Sequence, residues 1–394
     1  MKKLLALLLA MVMVLGLVAC GGTEASAPAE EATSAAAEAP AEAPAEAPAE
    51  APAEEAGSAA EAPAEEAPTT IECDPLAIQF TTTFNETETG GMILKHFAEY
   101  LSTLTNGAIT VDFFWGGTVF TDMEALDAIS SGAMNMTAFG HMPHTATLNY
   151  LGFPGFAPGG TQAAVDYFNE LIFVNPETSA LIQQEAADNG VIYLNVIAGG
   201  ANSFCAKYEF SDLATLQSGS TSFGNFDAAI FEALGFQVTA VAPPDTYDAL
   251  QRGLIDSTQM GFAPMVSMSW YDVAPYWGLD GTYAAGNMFT ANLEWWNGLT
   301  DAQRQAIQQA ADEVEAFSAG IYDEAIAADI AKVEEATGNK FVEFGQEDLD
   351  KIWAATFEAK ADAALATAEP NGKTEGMVKI LEVAAEFTGY NWEH

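Results

Sequence analysis

The spacing of apolar residues from residue 76 onward alternates between the pattern of buried strands and that of amphipathic helices. Three short apolar runs are typical of buried strands: Leu76–Thr83, Ile109–Trp115 and Met134–Phe139. Between them, apolar residues recur every three or four positions from Met92 to Leu104. Thr121 and Glu124 then form the capping-box pattern that opens a second helix, which ends near Gly132. Strands that alternate with helices in this way predict a parallel sheet with right-handed crossovers.

The alternation continues and divides the chain into two α/β units of similar size. Helices at about 161–172 and 176–188 are predicted to lead into the strand Val191–Ala198, which ends at Gly199 and Gly200. In the second unit, helices are predicted at 226–234 and 247–252. Strands are predicted at 237–241 and 257–262. We therefore expect the units to be joined near residue 200, with the chain crossing back near 286–293.

A long helical pattern follows these two units. It begins at Thr300, where Gln303 completes another capping box, and it continues to Gly338. At 1.5 Å per residue such a helix is longer than one unit, so it either packs across both units or breaks, for example at Gly320. Two further helices are predicted at about 347–368 and 374–387.

The N-terminal segment has the organisation of a secretion signal. Lys2 and Lys3 precede the uncharged apolar run Leu4–Leu17, which is too short to span a membrane comfortably. The segment ends in Leu17-Val18-Ala19-Cys20, which resembles the lipobox of bacterial lipoproteins, in which the cysteine is lipidated, for example with palmitate. An ordinary cleaved signal peptide is the alternative. We expect residues 1–20 to be the signal and Cys20 to be the site of lipidation.

Residues 21–70 are of low complexity. Glu-Ala-Pro-Ala recurs with proline at every fourth position, at Pro40, Pro44, Pro48 and Pro52. Proline at this spacing forbids a helix, and the glutamates repel one another, so we expect a solvated tether. The folded part is then expected to be residues 71–394.

The charge of the chain excludes several classes of protein. Its formal net charge is -44, with 12 Lys and Arg against 56 Asp and Glu. It has no basic surface to neutralise phosphates, so we expect no nucleic-acid binding, and anionic membrane surfaces would repel it. Besides Cys20, the chain has Cys73 and Cys205, and the sequence leaves open whether they form a disulfide.

Several segments between about 76 and 390 follow one another in a characteristic order and spacing. Among them are Glu124-Ala125-x-x-Ala128-Ile129-x-x-Gly132-Ala133-x-Asn135-Met136, Tyr247-x-Ala249-Leu250-Gln251-x-Gly253-x-Ile255-Asp256 and Asn292-x-x-Trp295-Trp296-x-x-Leu299. In this order and spacing they resemble the solute-binding proteins of tripartite ATP-independent periplasmic (TRAP) transporters, also called the dicarboxylate-binding type. The resemblance implies a two-lobed α/β fold of the periplasmic-binding-protein type, with a hinge and one long helix that spans both lobes. We expect lobe 1 to comprise about 76–200 and 286–320, and lobe 2 about 201–285 and 321–394.

The resemblance also implies a function. Such proteins close around a small organic solute and deliver it to the membrane subunits of the transporter, and closure is driven by contacts of the ligand with both lobes. We therefore expect an extracytoplasmic lipoprotein, anchored to the cell membrane by its lipid, with no cofactor. The alternative is a sensory lipoprotein of the same fold that reports its ligand to a signalling receptor.

Candidate ligand-binding residues follow from the ends of the predicted strands, which should face the cleft between the lobes. In the first lobe they are Thr83, Phe84, Trp115, Phe139 and His141, and in the second they are Asn202, Ser220, Phe223, Asn225, Tyr247, Met260 and Phe262. Core packing is the alternative for each aromatic residue, and helix capping is the alternative for Ser220 and Asn225.

The sequence departs from the family where the ligand would bind. The family places an arginine a few residues after Asp-Leu-x-x-Leu, whereas here Asp212-Leu213-Ala214-Thr215-Leu216 is followed by no basic residue through Ser222. We therefore expect neutral, zwitterionic or cationic solutes, or acids held without an arginine. Lys207 lies close in sequence to the crossing segment and is the candidate substitute cation.

Enzyme motifs are missing from the sequence. It contains no Gly-x-Ser-x-Gly, no phosphate-binding glycine-rich loop and no His-Glu-x-x-His. His141-Met142-Pro143-His144 offers at most two metal ligands, so a loop is the preferred interpretation and a metal-dependent hydrolase is the remaining alternative. We expect no enzyme activity and no bound metal.

Overall fold

A computed structural model describes residues 70–223 and 228–393. The predicted signal with Cys20, nearly all of the predicted tether and the candidate residue Asn225 lie outside the described residues. The strands are Leu76–Thr82 (β1), Ile109–Phe114 (β2), Met136–Gly140 (β3), Phe156–Pro158 (β4), Val191–Ala206 (β5), Ser220–Phe223 (β6), Gln237–Val238 (β7), Ser257–Gly261 (β8) and Tyr276–Asn292 (β9). The helices are Thr89–Leu104 (α1), Asp122–Ser130 (α2), Thr161–Asn169 (α3), Pro176–Asp188 (α4), Leu213–Leu216 (α5), Ala228–Ala233 (α6), Thr246–Arg252 (α7), Phe262–Ser267 (α8), Leu293–Gly298 (α9), Asp301–Thr337 (α10), Gln346–Ala368 (α11) and Thr374–Thr388 (α12).

The strands form one mixed sheet in the order β2-β1-β3-β9-β5-β8-β6-β7, with β4 also paired to β9. β1 is parallel to β2 and β3, and β6 is parallel to β7 and β8, as the alternation of strands and helices predicted. The long strands β5 and β9 run antiparallel to each other through the middle of the sheet. They carry the chain between the two parallel halves and so join the two lobes.

The crossing strands are longer than the sequence analysis predicted. The strand predicted to end at Ala198 continues through Gly199 and Gly200 to Ala206, because β9 supplies a partner along its whole length. The register of this pairing shifts between Ala198 and Ala201, which accommodates the glycine pair within the strand. The return crossing, predicted at 286–293, occupies all of β9.

The long helix α10 spans both lobes. It is one unbroken helix of 37 residues that continues through Gly320, so the alternative of a break at this glycine is wrong. Its N-terminal half packs through Ile307 and Val314 against the core that contains β1 and α1. Its C-terminal half packs through Ile330 and Val333 against the core around Trp277.

The last helix lies on the first lobe, although we expected all of 321–394 on the second. Met377, Ile380 and Leu381 of α12 share a buried cluster with Leu171 and Ile182. The apolar stripe of α12 therefore covers the outer face of α3 and α4. In this way the C-terminal segment returns across the hinge.

Cys73 and Cys205 are free thiols in the structure. Cys205 is buried in β5, and burial raises the pKa of its thiol well above the usual value.

Candidate ligand-binding cleft

A cavity of about 300 Å³ lies where the two lobes meet at the crossing strands. It is enclosed by the chain after β1, the middle of β5, the start of α8 and one residue each of β9 and α10. Its lining residues are Phe84, Glu88, Thr89, Gly90, Gly200, Ala201, Asn202, Gly261, Phe262, Ala263, Pro264, Ala284 and Tyr322. Both lobes therefore contribute to one cavity of the size that holds a small organic molecule.

Close backbone approaches shape two walls of this cavity. A Cβ atom at Gly90 would lie 2.5 Å from the Phe84 ring, so glycine here lets the ring pack against the start of α1. A Cβ atom at Gly199 would lie 2.9 Å from the carbonyl oxygen of Ala284, so glycine lets β5 and β9 approach each other at the crossing. Packing therefore requires glycine at 199, whereas a Cβ atom at Gly200 would come no nearer than 3.9 Å to the Tyr322 ring.

The charge of the cavity is low and negative. Among the described residues that line it, Glu88 is the one carboxylate, and none is lysine or arginine. Burial, together with the nearby Glu88, raises the pKa of the Tyr322 phenol well above its usual value, so this hydroxyl is neutral. The cavity therefore presents three aromatic rings, an amide, two hydroxyls and one carboxylate.

A network of buried polar side chains adjoins the cavity at Asn202. Asn202 Nδ2 donates to Thr282 Oγ1 at 2.9 Å, and the Thr282 hydroxyl and backbone N–H donate to Asp280 Oδ1 at 2.7 and 2.9 Å. Gln259 Nε2 donates to the other Asp280 oxygen at 2.7 Å. Lys360 is also buried nearby, with its Nζ 5.9 Å from the ring centroid of Phe156. Strands β5, β8 and β9 together carry the hydrogen-bonded residues of this network.

The structure brings together three of the candidate residues, Phe84, Asn202 and Phe262, at the cavity. Thr83 is exposed beside the end of β1. Trp115 stacks on Phe113 with ring centroids 4.5 Å apart, and it lines a separate open hollow on the outside of α1.

Two candidates of the first lobe are core residues. Phe139 is buried and its ring meets that of His144 edge to face. His141 is buried between Phe153 and Phe168, and its backbone N–H donates to the carbonyl of Gly286. Desolvation lowers the pKa of His141 to about 4, so the ring is neutral.

Three other candidates of the second lobe, Ser220, Tyr247 and Met260, lie away from the cavity lining. Ser220 is at the N-terminal end of β6, where its hydroxyl lies 2.6 Å from that of Thr239. Tyr247 and Met260 are half-buried against the apolar cluster around Trp277. Phe223 pairs with Gln259 through its backbone, and the structure does not describe its side chain.

Lys207 does not face the cavity. Its backbone N–H donates to the Asp256 carbonyl, and its Nζ lies beside Gly253. Both contacts are at the end of β8 opposite Gly261, so Lys207 is not positioned to replace an arginine.

Several polar residues of the site were not predicted from the sequence, among them Glu88, Gln259, Asp280, Thr282 and Tyr322. Gln259 carried a signal, because it lies on the strand predicted at 257–262 immediately before a candidate residue. Tyr322 lies in the middle of a helix, and Asp280 lies in a strand that was not predicted to begin before residue 286. Their proximity to Asn202 depends on tertiary structure.

Neither a metal centre nor a membrane span is present in the part of the chain that the structure describes. Residues 70–223 and 228–393 contain no group of three or more His, Cys, Asp or Glu side chains that could hold a metal ion. No helix among these residues is long and apolar enough to cross a membrane.

Residues 80–365 match the family model described as bacterial extracellular solute-binding protein, family 7. A solute-binding protein of Roseobacter denitrificans is 23% identical over 72% of this chain and 84% of its own length. The C4-dicarboxylate-binding periplasmic protein DctP of Rhodobacter capsulatus is 23% identical over 70% of this chain and 82% of its own.

Solved structures share the fold. A TRAP periplasmic solute-binding protein from Ochrobactrum anthropi superposes with a TM-score of 0.68 at 19% identity, covering 81% of this chain and 97% of its own. A second TRAP periplasmic solute-binding protein, from Roseobacter denitrificans and solved with bound β-D-glucuronate, gives a TM-score of 0.58 at 20% identity. The match covers 78% of this chain and 99% of that protein. The ectoine-binding protein TeaA, solved without ligand, gives a TM-score of 0.68 at 14% identity, and the match covers 79% of this chain and 99% of TeaA.

Proposed function

The chain belongs to family 7 of the bacterial extracellular solute-binding proteins, the binding proteins of TRAP transporters, and we propose that it captures a small organic solute in the cavity between its lobes. The captured solute is delivered to the membrane subunits of the transporter. The cavity supports this proposal because side chains of both lobes line it, so a ligand there stabilises the closed arrangement.

We propose that the solute is neutral, zwitterionic or cationic, and the composition of the cavity wall carries this proposal. Relatives bind acids such as glucuronate and C4-dicarboxylates. Burying a carboxylate without a cation costs about 3–5 kcal/mol, and the described lining residues supply Glu88 in place of a lysine or arginine. The rings of Phe84, Phe262 and Tyr322 favour a ligand with an apolar face, or one whose ammonium group lies against the face of a ring.

A thermal-shift panel tests the charge of the solute. The panel contains succinate, malate, glucuronate and galactonate as acids, ectoine and glycine betaine as zwitterions, choline as a cation and galactose as a neutral solute. We expect stabilisation by members of the last three groups and none by succinate or malate. Glu88→Gln should weaken binding of choline by about three- to tenfold, because it removes the carboxylate of the cavity.

Glu86→Gln is the matched control, because Glu86 is an exposed carboxylate two residues away that pairs with Lys95 outside the cavity. It should leave the binding of choline unchanged. Micromolar binding of succinate or malate to the unmodified protein would show that the proposed ligand class is wrong. If neither the panel nor a wider set of metabolites raised the melting temperature of the protein, this result would contradict solute binding itself.

We also propose that Cys20 carries a lipid that anchors the protein to the outer side of the cell membrane. The lipobox Leu17-Val18-Ala19-Cys20 and the proline-rich segment that follows it support this proposal. In fractionated cells Cys20→Ala should move the protein from the membrane to the soluble fraction, whereas Cys73→Ala should leave it in place. Retention of the Cys20→Ala protein in membranes would refute the anchor.

A further inference from the structure

A second, much smaller cavity lies beside the ligand-binding cavity and shares Asn202 with it. Its volume is about 10 Å³, which is close to the space that one water molecule needs. The polar residues that line it are Asn202, Gln259, Asp280, Thr282 and Thr356. All five are buried.

The hydrogen bonds around this small cavity leave an acceptor without a donor. The amide N–H groups of Gln259 and Asn202 and the hydroxyl of Thr282 donate within the network, and the Thr356 hydroxyl donates to the carbonyl of Ile352. Gln259 Oε1 has no hydrogen-bond partner, although the residue is only 3% exposed. A buried acceptor without a donor is costly, so this oxygen requires a donor from outside the network.

Charge and size limit what the donor is. The carboxylate of Asp280 and the ammonium of Lys360 are both buried in this region, so it already holds one charge of each sign. A further ion would be uncompensated in a low-dielectric site. The space admits one water-sized group, and a hydroxyl has this size, is neutral and donates one hydrogen bond.

We propose that the small cavity is a subsite for a hydroxyl group of the solute, with Gln259 Oε1 as the acceptor of its proton. The subsite rests on the proposed function, because the rest of the solute occupies the cavity of about 300 Å³, which Asn202 also lines. The natural ligand is then a hydroxylated solute.

Pairs of solutes that differ by one hydroxyl test this subsite. Binding to the full chain is measured by calorimetry for hydroxyectoine and ectoine, for choline and ethyltrimethylammonium, and for galactose and 6-deoxygalactose. For the pair that binds, the hydroxylated member should bind at least about tenfold more tightly, because an unmet buried acceptor penalises the analogue without the hydroxyl. In Gln259→Met this preference should fall to about twofold or less.

Thr221→Val is the matched control, because Thr221 is equally buried on the neighbouring strand and its hydroxyl pairs with Ser257, away from both cavities. It should keep the preference for the hydroxylated solute. Equal binding of both members by the unmodified protein would overturn the subsite whether or not Gln259→Met folds, and so would a preference that persists in Gln259→Met. A crystal structure of the complex with an ordered water only in the small cavity would overturn it as well. Binding of no solute at all would refute the proposed function rather than the subsite alone.

Discussion

His141 shows how a candidate ligand residue turned out to be part of the core. Glycine at 155 and 286 lets the backbone approach its ring, and Phe153 and Phe168 cover it. Burial lowers its pKa to about 4, and the charges of Lys360 and His144 act in the same direction. Because its ordinary value is 6.5, the unfolded chain binds more protons than the folded protein between about pH 4 and 6.5.

Replacing His141 should therefore change the pH dependence of stability. The contribution of the neutral His141 ring to the free energy of unfolding is fully present above about pH 6.5. It decreases by about 3 kcal/mol in total as the pH falls to about 4. His141→Phe should show a shallower loss of melting temperature over this range, whatever its stability at pH 7. Phe153→Leu is the control, because it disturbs the same packing without removing a titratable group. A slope in His141→Phe equal to that of the unmodified protein would contradict this account.

The prediction of the site from sequence was partial for a physical reason. Strand ends predicted Asn202 and Phe262, because the position of a residue at a strand end is a local property. The same rule selected Phe139, which is buried in the core. Whether neighbouring elements cover a strand end depends on distant parts of the chain, so the local sequence does not predict it. Glu88 and Tyr322 are 234 positions apart in the chain, and only the packing of α10 against the first lobe brings them to one cavity.

At the scale of elements, local sequence signals predicted those helix ends and strands that local interactions stabilise. The capping box at the start of α10 forms as expected, with the Thr300 N–H donating to Gln303 Oε1 at 3.0 Å and the Gln303 N–H to Thr300 Oγ1 at 3.2 Å. The strands β1 to β3 agree with the predicted runs to within two residues. In β1 and β3 most of the apolar residues of the predicted runs are buried.

The crossing strands were not predictable in the same way. Gly199 and Gly200 indicate the end of a strand when read alone, since glycine weakens a strand. In the structure, pairing with β9 on both sides of the glycines outweighs this local preference. The irregular register at this point is also where two packed halves of the sheet can change their relative orientation with few broken contacts.

At the scale of the whole molecule, the connections between the lobes are few. They comprise the paired strands β5 and β9, the helix α10 and the C-terminal return through α11 and α12. Each lobe has its own buried apolar clusters, so each can move as a rigid body. We therefore expect motion of the lobes to be concentrated at the register shifts near residue 200.

Ligand binding should therefore make the molecule more compact. A solute that contacts Phe84 and Glu88 on one lobe and Phe262 on the other stabilises the closed arrangement by these simultaneous contacts. Small-angle X-ray scattering of the chain beginning at Ile71 should show a smaller radius of gyration with the most stabilising panel solute than without it. A non-binding panel solute at the same concentration is the control and should leave the profile unchanged. An identical profile with saturating ligand would show that the solute is bound without hinge closure, because closure must shorten the distances between atoms of the two lobes.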